Sequence, residues 1–131
     1  MNNFVGLSKI GLVRQRNEDR FFIDGHICAV TDGMGGYSGG EIASTYAVDE
    51  IKEYLSSLET IGQQDLCDAI IHANQRIVNR VACEERLAGM GTTAVVTAIM
   101  VINFTGQVLV IVVCMYIEMV IYDKLLRIIL W

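Results

Sequence analysis

Short apolar runs separated by turn residues predict a β-hairpin near the N-terminus. The runs Arg20–Ile23 and His26–Val30 flank the pair Asp24-Gly25, which favours the positive φ of a two-residue turn. Because a hairpin folds its two ends together, the residues just before the first strand and just after the second should lie at the same end of a sheet.

Two helices with apolar stripes are predicted to follow the hairpin. Ser38 and Glu41 have the spacing of a capping box, and apolar residues then recur at four-residue steps, which predicts a helix over residues 39–55. Thr60 and Gln63 repeat the capping signature before a second helix. The stripes are Ala43, Ala47, Ile51 and Leu55 in the first helix, and Leu66, Ile70, Ala73, Ile77 and Val81 in the second.

The last third of the chain is apolar and almost uncharged. Residues 94–131 hold four charged residues, Glu118, Asp123, Lys124 and Arg127. Two β-rich runs around a turn at residues 103–106 predict a further pair of strands. Polar residues interrupt this stretch and no basic cluster flanks it, which argues against a membrane span. The order of strands, two helices and strands predicts an α+β domain.

Composition narrows the classes of function. The 131 residues fit one domain, and 53% hydrophobic against 19% charged residues indicate a chain that folds around a core. A net charge of −5 disfavours nucleic acid and anionic membranes as partners. The four cysteines lack C-x-x-C spacing and no signal segment begins the chain, which favours reduced thiols and a cytoplasmic protein.

The candidate chemistry lies at the shared end of the hairpin. Three carboxylates should cluster there, and oxygen ligands suit hard divalent cations such as Mg²⁺ or Mn²⁺. The carboxylates are Glu18, Asp19 and Asp32. Gly33 would let a backbone carbonyl approach the same ion, and Arg14 adds a planar fork of donors for phosphate oxygens. Arg16 and Arg20 are interpreted as solvated surface charges, and Glu41 as the helix cap.

Three motifs follow one another in the chain. They are GLVRQRNEDRF at Gly11–Phe21, VTDGMGGYSGGEIAS at Val30–Ser44 and GMGTTA at Gly89–Ala94. In sequence, order and spacing they resemble the metal-dependent serine/threonine protein phosphatases of type 2C, the PPM family, in its bacterial form. The resemblance covers about residues 6–105 and implies an αββα four-layer sandwich roughly twice as long as this chain.

The resemblance also implies an activity, a cofactor and roles for the site. The reaction is hydrolysis of phosphoserine or phosphothreonine in proteins by a metal-activated water, with two Mn²⁺ or Mg²⁺ ions in the intact site. Asp32 would bridge the ions and Gly33 would offer its carbonyl. Glu18 and Asp19 would contact the metal shell, and Arg14 would hold the phosphoryl oxygens. The implied partner is a phosphorylated protein substrate or a cognate Ser/Thr kinase.

The C-terminal part departs from the family pattern. Family members take two further metal-binding aspartates from a C-terminal half, and no such segment follows here. We therefore expect residues 1–105 to be the N-terminal half of a phosphatase domain, residues 106–131 to be a divergent apolar tail, and this truncated chain to be inactive. Two alternatives stay open: a non-catalytic remnant that binds a phosphoprotein or kinase and, less favoured, a small membrane-associated protein.

Back-translation suggests an origin for the tail. Codons built from the last base of one residue's codon and the first two bases of the next permit Val-Gly-Asp-Ser-Arg across residues 108–113. In the same frame Met115-Tyr116 forces Val and Met119-Val120 forces Gly. The permitted string resembles the segment that the family carries next. We hypothesise that a frameshift near residues 101–107 has put the tail out of frame.

Overall fold

The computed structural model describes the backbone of residues 5–36, 39–104, 107–122 and 125–130, and the side chains of residues 5–36 and 39–99. Within these ranges the chain forms strands, two α-helices and then strands again, so the α+β prediction is confirmed. The elements are β1 Asp19–Asp24, β2 Ile27–Met34, α1 Gly39–Ser56, α2 Gln63–Cys83, a 3-10 turn Glu85–Leu87, β3 Gly91–Phe104, β4 Gln107–Tyr122 and β5 Leu125–Leu130.

The N-terminal hairpin is confirmed, with its turn one position later than predicted. Gly25 and His26 form the two-residue turn, whereas the sequence indicated Asp24-Gly25. Gly25 has φ +56°, so the residue that tolerates positive φ takes the first turn position. At the other end of the hairpin, Asp19 pairs directly with Asp32. The strand pairing therefore joins the two segments that carry the candidate chemistry.

Both helices form over the predicted stripes, but the second one begins differently. Its N-terminal flanking residue is Gly62 and not Thr60, and the Gly62 N–H donates to Asp65 Oδ2 at 2.7 Å. A glycine has no side chain for capping, so the carboxylate of the first turn satisfies the backbone instead. Ser38, the predicted cap of α1, lies outside the described residues. The stripe residues buried in the core are Ala43, Ala47, Ile51, Leu55, Leu66, Ile70, Ala73 and Ile77, with Val81 partly buried.

The strands form one antiparallel sheet in the order β1-β2-β3-β4-β5. The helices cover one face, because alternate residues of β2 and β3 are buried against them. On the other face, which we call the open face, Phe21 is 40% and Val30 52% exposed. One sheet layer and one helical layer thus correspond to part of the sandwich that the resemblance implies.

The later strands also match the prediction. Phe104 pairs with Gln107 and the register continues to Gly91 opposite Val120, so two paired strands form as predicted. Asn103 and Phe104, which were predicted in the turn, are instead the last two residues of β3. Thr105 and Gly106 lie outside the described residues. Among the helices that the structure describes, none combines the length and the apolar character that crossing a bilayer would require.

Candidate active site

All five predicted site residues line one polar cleft at the end of the hairpin. Its volume is about 210 Å³. The lining residues are Lys9, Ile10, Arg14, Arg16, Asn17, Glu18, Asp19, Asp32 and Gly33. Strand pairing and the segment that leads into β1 thus bring together groups that lie up to 24 positions apart in the chain.

Asp19 and Asp32 form the acidic centre of this cleft. They are direct partners across β1 and β2, which places both side chains on the open face. Burial raises the pKa of the Asp19 carboxyl. The charge of Asp32 and a hydrogen bond shared with its carboxyl raise this pKa further, while Arg20 and Arg14 lower it. The pair is therefore held in mutual repulsion that a proton or a cation would relieve.

Glu18 lines the same cleft but approaches it from the helical side. Its carbonyl accepts a 3.3 Å hydrogen bond from the Gly33 N–H, and its Cδ lies 2.9 Å from the position that a Cβ on Gly40 would take. Successive side chains of an extended chain point to opposite faces, so Glu18 and Asp19 diverge. In the part of the chain whose side chains are described, no three His, Cys, Asp or Glu residues gather to hold a metal ion. Two of the three predicted carboxylates converge.

Gly33 sits directly under the first turn of α1. A Cβ at this position would lie 2.0 Å from the carbonyl oxygen of Gly40, so only a glycine allows the helix to pack this closely. The same packing puts the N-terminus of α1, where partial positive charge accumulates, beside the carboxylate of Glu18. The absence of a side chain at Gly33 therefore serves the packing of α1 on β2, and the approach of its carbonyl to an ion stays a prediction.

Arg14 is exposed in the cleft and makes no hydrogen bond or ion pair with another described residue. Its charge lowers the pKa of Asp19, so the guanidinium acts on the acidic pair. A planar fork that is not engaged by a carboxylate suits two oxygens of a phosphoryl group.

Side-chain contacts that were not predicted from the sequence hold the acidic segment in place. Asn17 Oδ1 accepts from the Asp19 N–H at 3.0 Å, and Asn17 Nδ2 donates to Ser8 Oγ at 2.6 Å. Arg20, interpreted as a solvated charge, donates to Glu41 Oε1 at 2.8 Å. Glu41, interpreted as a cap, is thus the partner of a strand residue. Asn two positions before Asp19 was the available signal, since asparagine accepts from backbone N–H groups two residues on.

Similar proteins were found among curated sequences and solved structures. No family model matches the chain. Over 94 residues it is 38% identical to the serine/threonine protein phosphatase PstP of Mycobacterium tuberculosis, a match covering 69% of this chain and 18% of PstP. The PPM Ser-Thr phosphatase MsPP of Mycobacterium smegmatis, 23% identical with a TM-score of 0.62, has the same fold over 92% of this chain and 49% of MsPP.

Two crystal structures of PstP, one of them named as that of M. tuberculosis, are also similar to this chain. PstP/Ppp is 29% identical with a TM-score of 0.64, covering 92% of this chain and 50% of that one. The PstP catalytic domain in complex with 2 manganese ions is 26% identical with a TM-score of 0.66, covering 92% and 51%. The chain belongs to the PPM family of serine/threonine protein phosphatases. It spans about half the length of these solved PPM structures.

In the described part of this PPM chain, the charge of the carboxylates in the cleft fits one divalent cation better than two. Asp19 and Asp32 supply two negative charges whose repulsion a cation would relieve, and carboxylate oxygens are the ligands that Mn²⁺ and Mg²⁺ prefer. Two such ions carry a charge of +4, and Arg14 adds positive charge to the same cleft. The donor set therefore matches part of a two-ion PPM site.

The acidic pair should give the metal-free PPM chain a small, characteristic pH dependence. The fold raises the pKa of Asp19 above 3.8, so folding favours the protonated carboxyl. The resulting contribution to the free energy of unfolding is fully present below pH 3.8 and is lost as the pH rises through the folded-state pKa. The effect should be about 0.5 kcal/mol or less, since both carboxylates are solvent-accessible.

Urea unfolding with a chelator across this range measures the effect. Subtracting the curve for Asp19→Asn isolates it, and Asp24→Asn at the other end of β1 is the matched control. A wild-type curve parallel to that of Asp19→Asn at every pH would contradict the expectation.

Proposed function

We propose that the cleft is the cation- and phosphoryl-binding part of a PPM active site, whose reaction is metal-dependent hydrolysis of phosphoserine or phosphothreonine in proteins. The observation that carries the proposal is the Asp19–Asp32 pair facing the same cleft as Arg14. The relation to PstP, solved with 2 manganese ions, supports Mn²⁺ as the cation, and Mg²⁺ shares its preference for oxygen ligands.

Each residue has a distinct part in this proposal. Asp19 and Asp32 would hold the cation with the carbonyl of Gly33, and Glu18 would contribute from the side of α1, partly through water. The chemistry that a cation bound by these residues would supply is polarisation of a phosphoryl oxygen and a lowered pKa of a water molecule. Arg14 would bind two phosphoryl oxygens and orient the phosphorus atom.

Electrostatics in the cleft impose an order of binding. A phosphorylated side chain carries a charge of about −1.5 to −2 at neutral pH, and the two aspartates repel it. Arg14 offsets only one of their charges. The cation would therefore bind before the phosphoryl group, and Arg14 would then select the orientation of the anion.

We further propose that the chain alone binds without turnover. Two converging carboxylates do not balance two divalent ions, so the second ion and its share of the charge stabilisation would be missing. The same observation favours a second candidate, a non-catalytic module that binds a phosphoprotein or a cognate Ser/Thr kinase. In either case we propose a cytoplasmic protein without nucleic acid or membrane partners.

The organisation into residues 1–105 and an out-of-frame tail at 106–131 is also proposed. The sequence match to PstP covers 69% of the chain, whereas the fold match covers 92%, which supports a segment that departs in sequence. The coding DNA tests this directly. Codons for residues 108–113 that cannot spell Gly-Asp-Ser-Arg in the offset frame would refute the frameshift.

Calorimetric titration and a phosphatase assay test the functional proposal together. We expect a single Mn²⁺ with a Kd of about a millimolar, Mn²⁺-dependent binding of inorganic phosphate, and no hydrolysis of a phosphothreonine peptide. Arg14→Ala should weaken phosphate binding about tenfold, since a charged hydrogen bond is lost. Arg86→Ala, at an exposed arginine paired with Glu84, is the matched control.

The outcomes separate the alternatives. Hydrolysis that requires Mn²⁺ would show an active phosphatase and refute the proposal of binding without turnover. Absence of both Mn²⁺ and phosphate binding would refute the site itself. Equal losses in Arg14→Ala and Arg86→Ala would remove Arg14 from it.

A further inference from the structure

Arg20 connects the acidic segment to the first turn of α1. Its Nη1 donates to the carbonyl oxygens of Asn17 at 2.9 Å and Asp19 at 2.7 Å, and its Nη2 donates to Glu41 Oε1 at 2.8 Å. Arg20 follows Asp19 in β1, so its side chain leaves the strand on the covered face while Asp19 is on the open face. The Arg20 guanidinium thus binds the backbone next to Asp19 from the covered face of the sheet.

Buried hydroxyl groups extend this connection into β2 and α1. Thr31 is the strand partner of Arg20, and its Oγ1 lies 3.0 Å from the carbonyl oxygen of Ser44 and 3.3 Å from that of Arg20. Ser44 Oγ in turn donates to the carbonyl of Glu41 at 3.2 Å. Thr31 and Ser44 are both fully buried. The network therefore closes through β1, β2 and α1, next to Asp32 in the chain.

The spacing between Asp19 and Asp32 needs support from other residues, because the interaction between the two carboxylates does not hold them close together. Asp19 and Asp32 repel one another on the open face, so before a cation binds their own interaction favours separation. An exposed ion pair such as Arg20–Glu41 ordinarily contributes little. Here the fork of donors also satisfies two backbone carbonyls, which the single ammonium of a lysine cannot reproduce.

We propose that Arg20 is a positioning residue that, anchored by Glu41, sets the spacing between Asp19 and Asp32 for a divalent cation. The inference rests on the proposed function for the identity of the ligand. Its structural content, that Arg20 fixes the backbone of residues 17–19, is independent of that function and has its own measurement.

Conservative variants distinguish positioning from general stability. Arg20→Lys keeps the charge but loses the fork, and Glu41→Ala loses the anchor, so both should lower Mn²⁺ affinity about tenfold, as loss of supporting contacts commonly does. Glu41→Gln keeps an Oε1 acceptor and should restore near wild-type affinity. The readout is Mn²⁺ titration followed by electron paramagnetic resonance, with the melting temperature of each variant.

A second ion pair in the same chain supplies the matched control. Arg76 Nη1 lies 3.1 Å from Glu50 Oε2 between α2 and α1. Both pairs are partly exposed, with 39% and 23% of the Arg76 and Glu50 side chains accessible against 31% and 44% for Arg20 and Glu41. Arg76→Lys should leave Mn²⁺ affinity unchanged. Equal affinity losses in Arg76→Lys and Arg20→Lys would show a merely structural role and overturn the inference.

Hydrogen exchange of the metal-free chain provides the measurement that needs no cation. The Gly33 N–H donates to the carbonyl of Glu18, so its exchange reports separation of residues 17–19 from β2. Arg20→Lys should speed this exchange about tenfold and Arg76→Lys should not. If the wild type fails to bind Mn²⁺ while exchange still responds, the proposed function fails and positioning stands. Wild-type exchange in Arg20→Lys would overturn positioning.

Discussion

Gly33→Ala should destabilise the chain by about 3 kcal/mol, the upper end of the usual cost of overpacking. The new Cβ would lie 2.0 Å from the carbonyl oxygen of Gly40 and 2.5 Å from its carbonyl carbon. These are backbone atoms of the first turn of α1, which cannot rotate aside as the end of a side chain can. The helix would have to lift from the sheet, and the core beneath it would loosen.

Gly36→Ala is the matched control for this substitution. A Cβ there meets no atom within 4 Å, so the free energy of unfolding should change by less than about 0.5 kcal/mol, or rise slightly because alanine restricts the unfolded chain. Urea unfolding followed by circular dichroism measures both variants. Equal midpoints for the two variants would mean that the contact between Gly33 and Gly40 does not limit the fold.

Asp32→Asn should change ion binding and stability in opposite directions. Loss of the carboxylate should lower Mn²⁺ affinity by at least about a hundredfold, because changes to groups behind the ligands alone cost 10–100-fold. The metal-free chain should gain up to about 0.5 kcal/mol, since the repulsion with Asp19 disappears from two accessible groups.

Calorimetry with Mn²⁺ and urea unfolding with a chelator measure these two effects. Asp49→Asn, an exposed carboxylate on α1, controls for the loss of one negative charge. Unchanged Mn²⁺ affinity in Asp32→Asn would remove this residue from the proposed site. A loss of metal-free stability would contradict the repulsion. A lower Mn²⁺ affinity together with a higher metal-free stability in Asp32→Asn would show that the ligands of this PPM site lower the stability of the fold.

The fold was predictable from sequence because its signals are local and periodic. The apolar stripes placed both helices, and one hairpin turn was enough to bring Asp19 opposite Asp32. The errors arose where two residues could serve the same local purpose. Gly25 took the first turn position, which moved the turn by one residue, and Asp65 replaced a side-chain cap at Gly62.

Only the part of the site that follows from strand register and strand alternation was predictable from the sequence. Strand register explains the pairing of Asp19 with Asp32, and strand alternation explains why Glu18 faces α1. The ion pair of Arg20 with Glu41 and the contact of Gly33 with Gly40 join β1 and β2 to a helix. Such contacts depend on how α1 docks on the sheet, which no periodicity in one segment records.

The open face of the sheet has a thermodynamic consequence for the acidic pair. Val30 and Asp32 lie two positions apart on β2, so an apolar layer packed on Val30 would also dehydrate the neighbouring carboxylates. At the lower dielectric constant of that environment, the repulsion between the two carboxylates would be stronger. A cation that neutralises their charge would therefore bind more tightly. By reciprocity, occupancy by the ion would strengthen adhesion of the layer to the same degree.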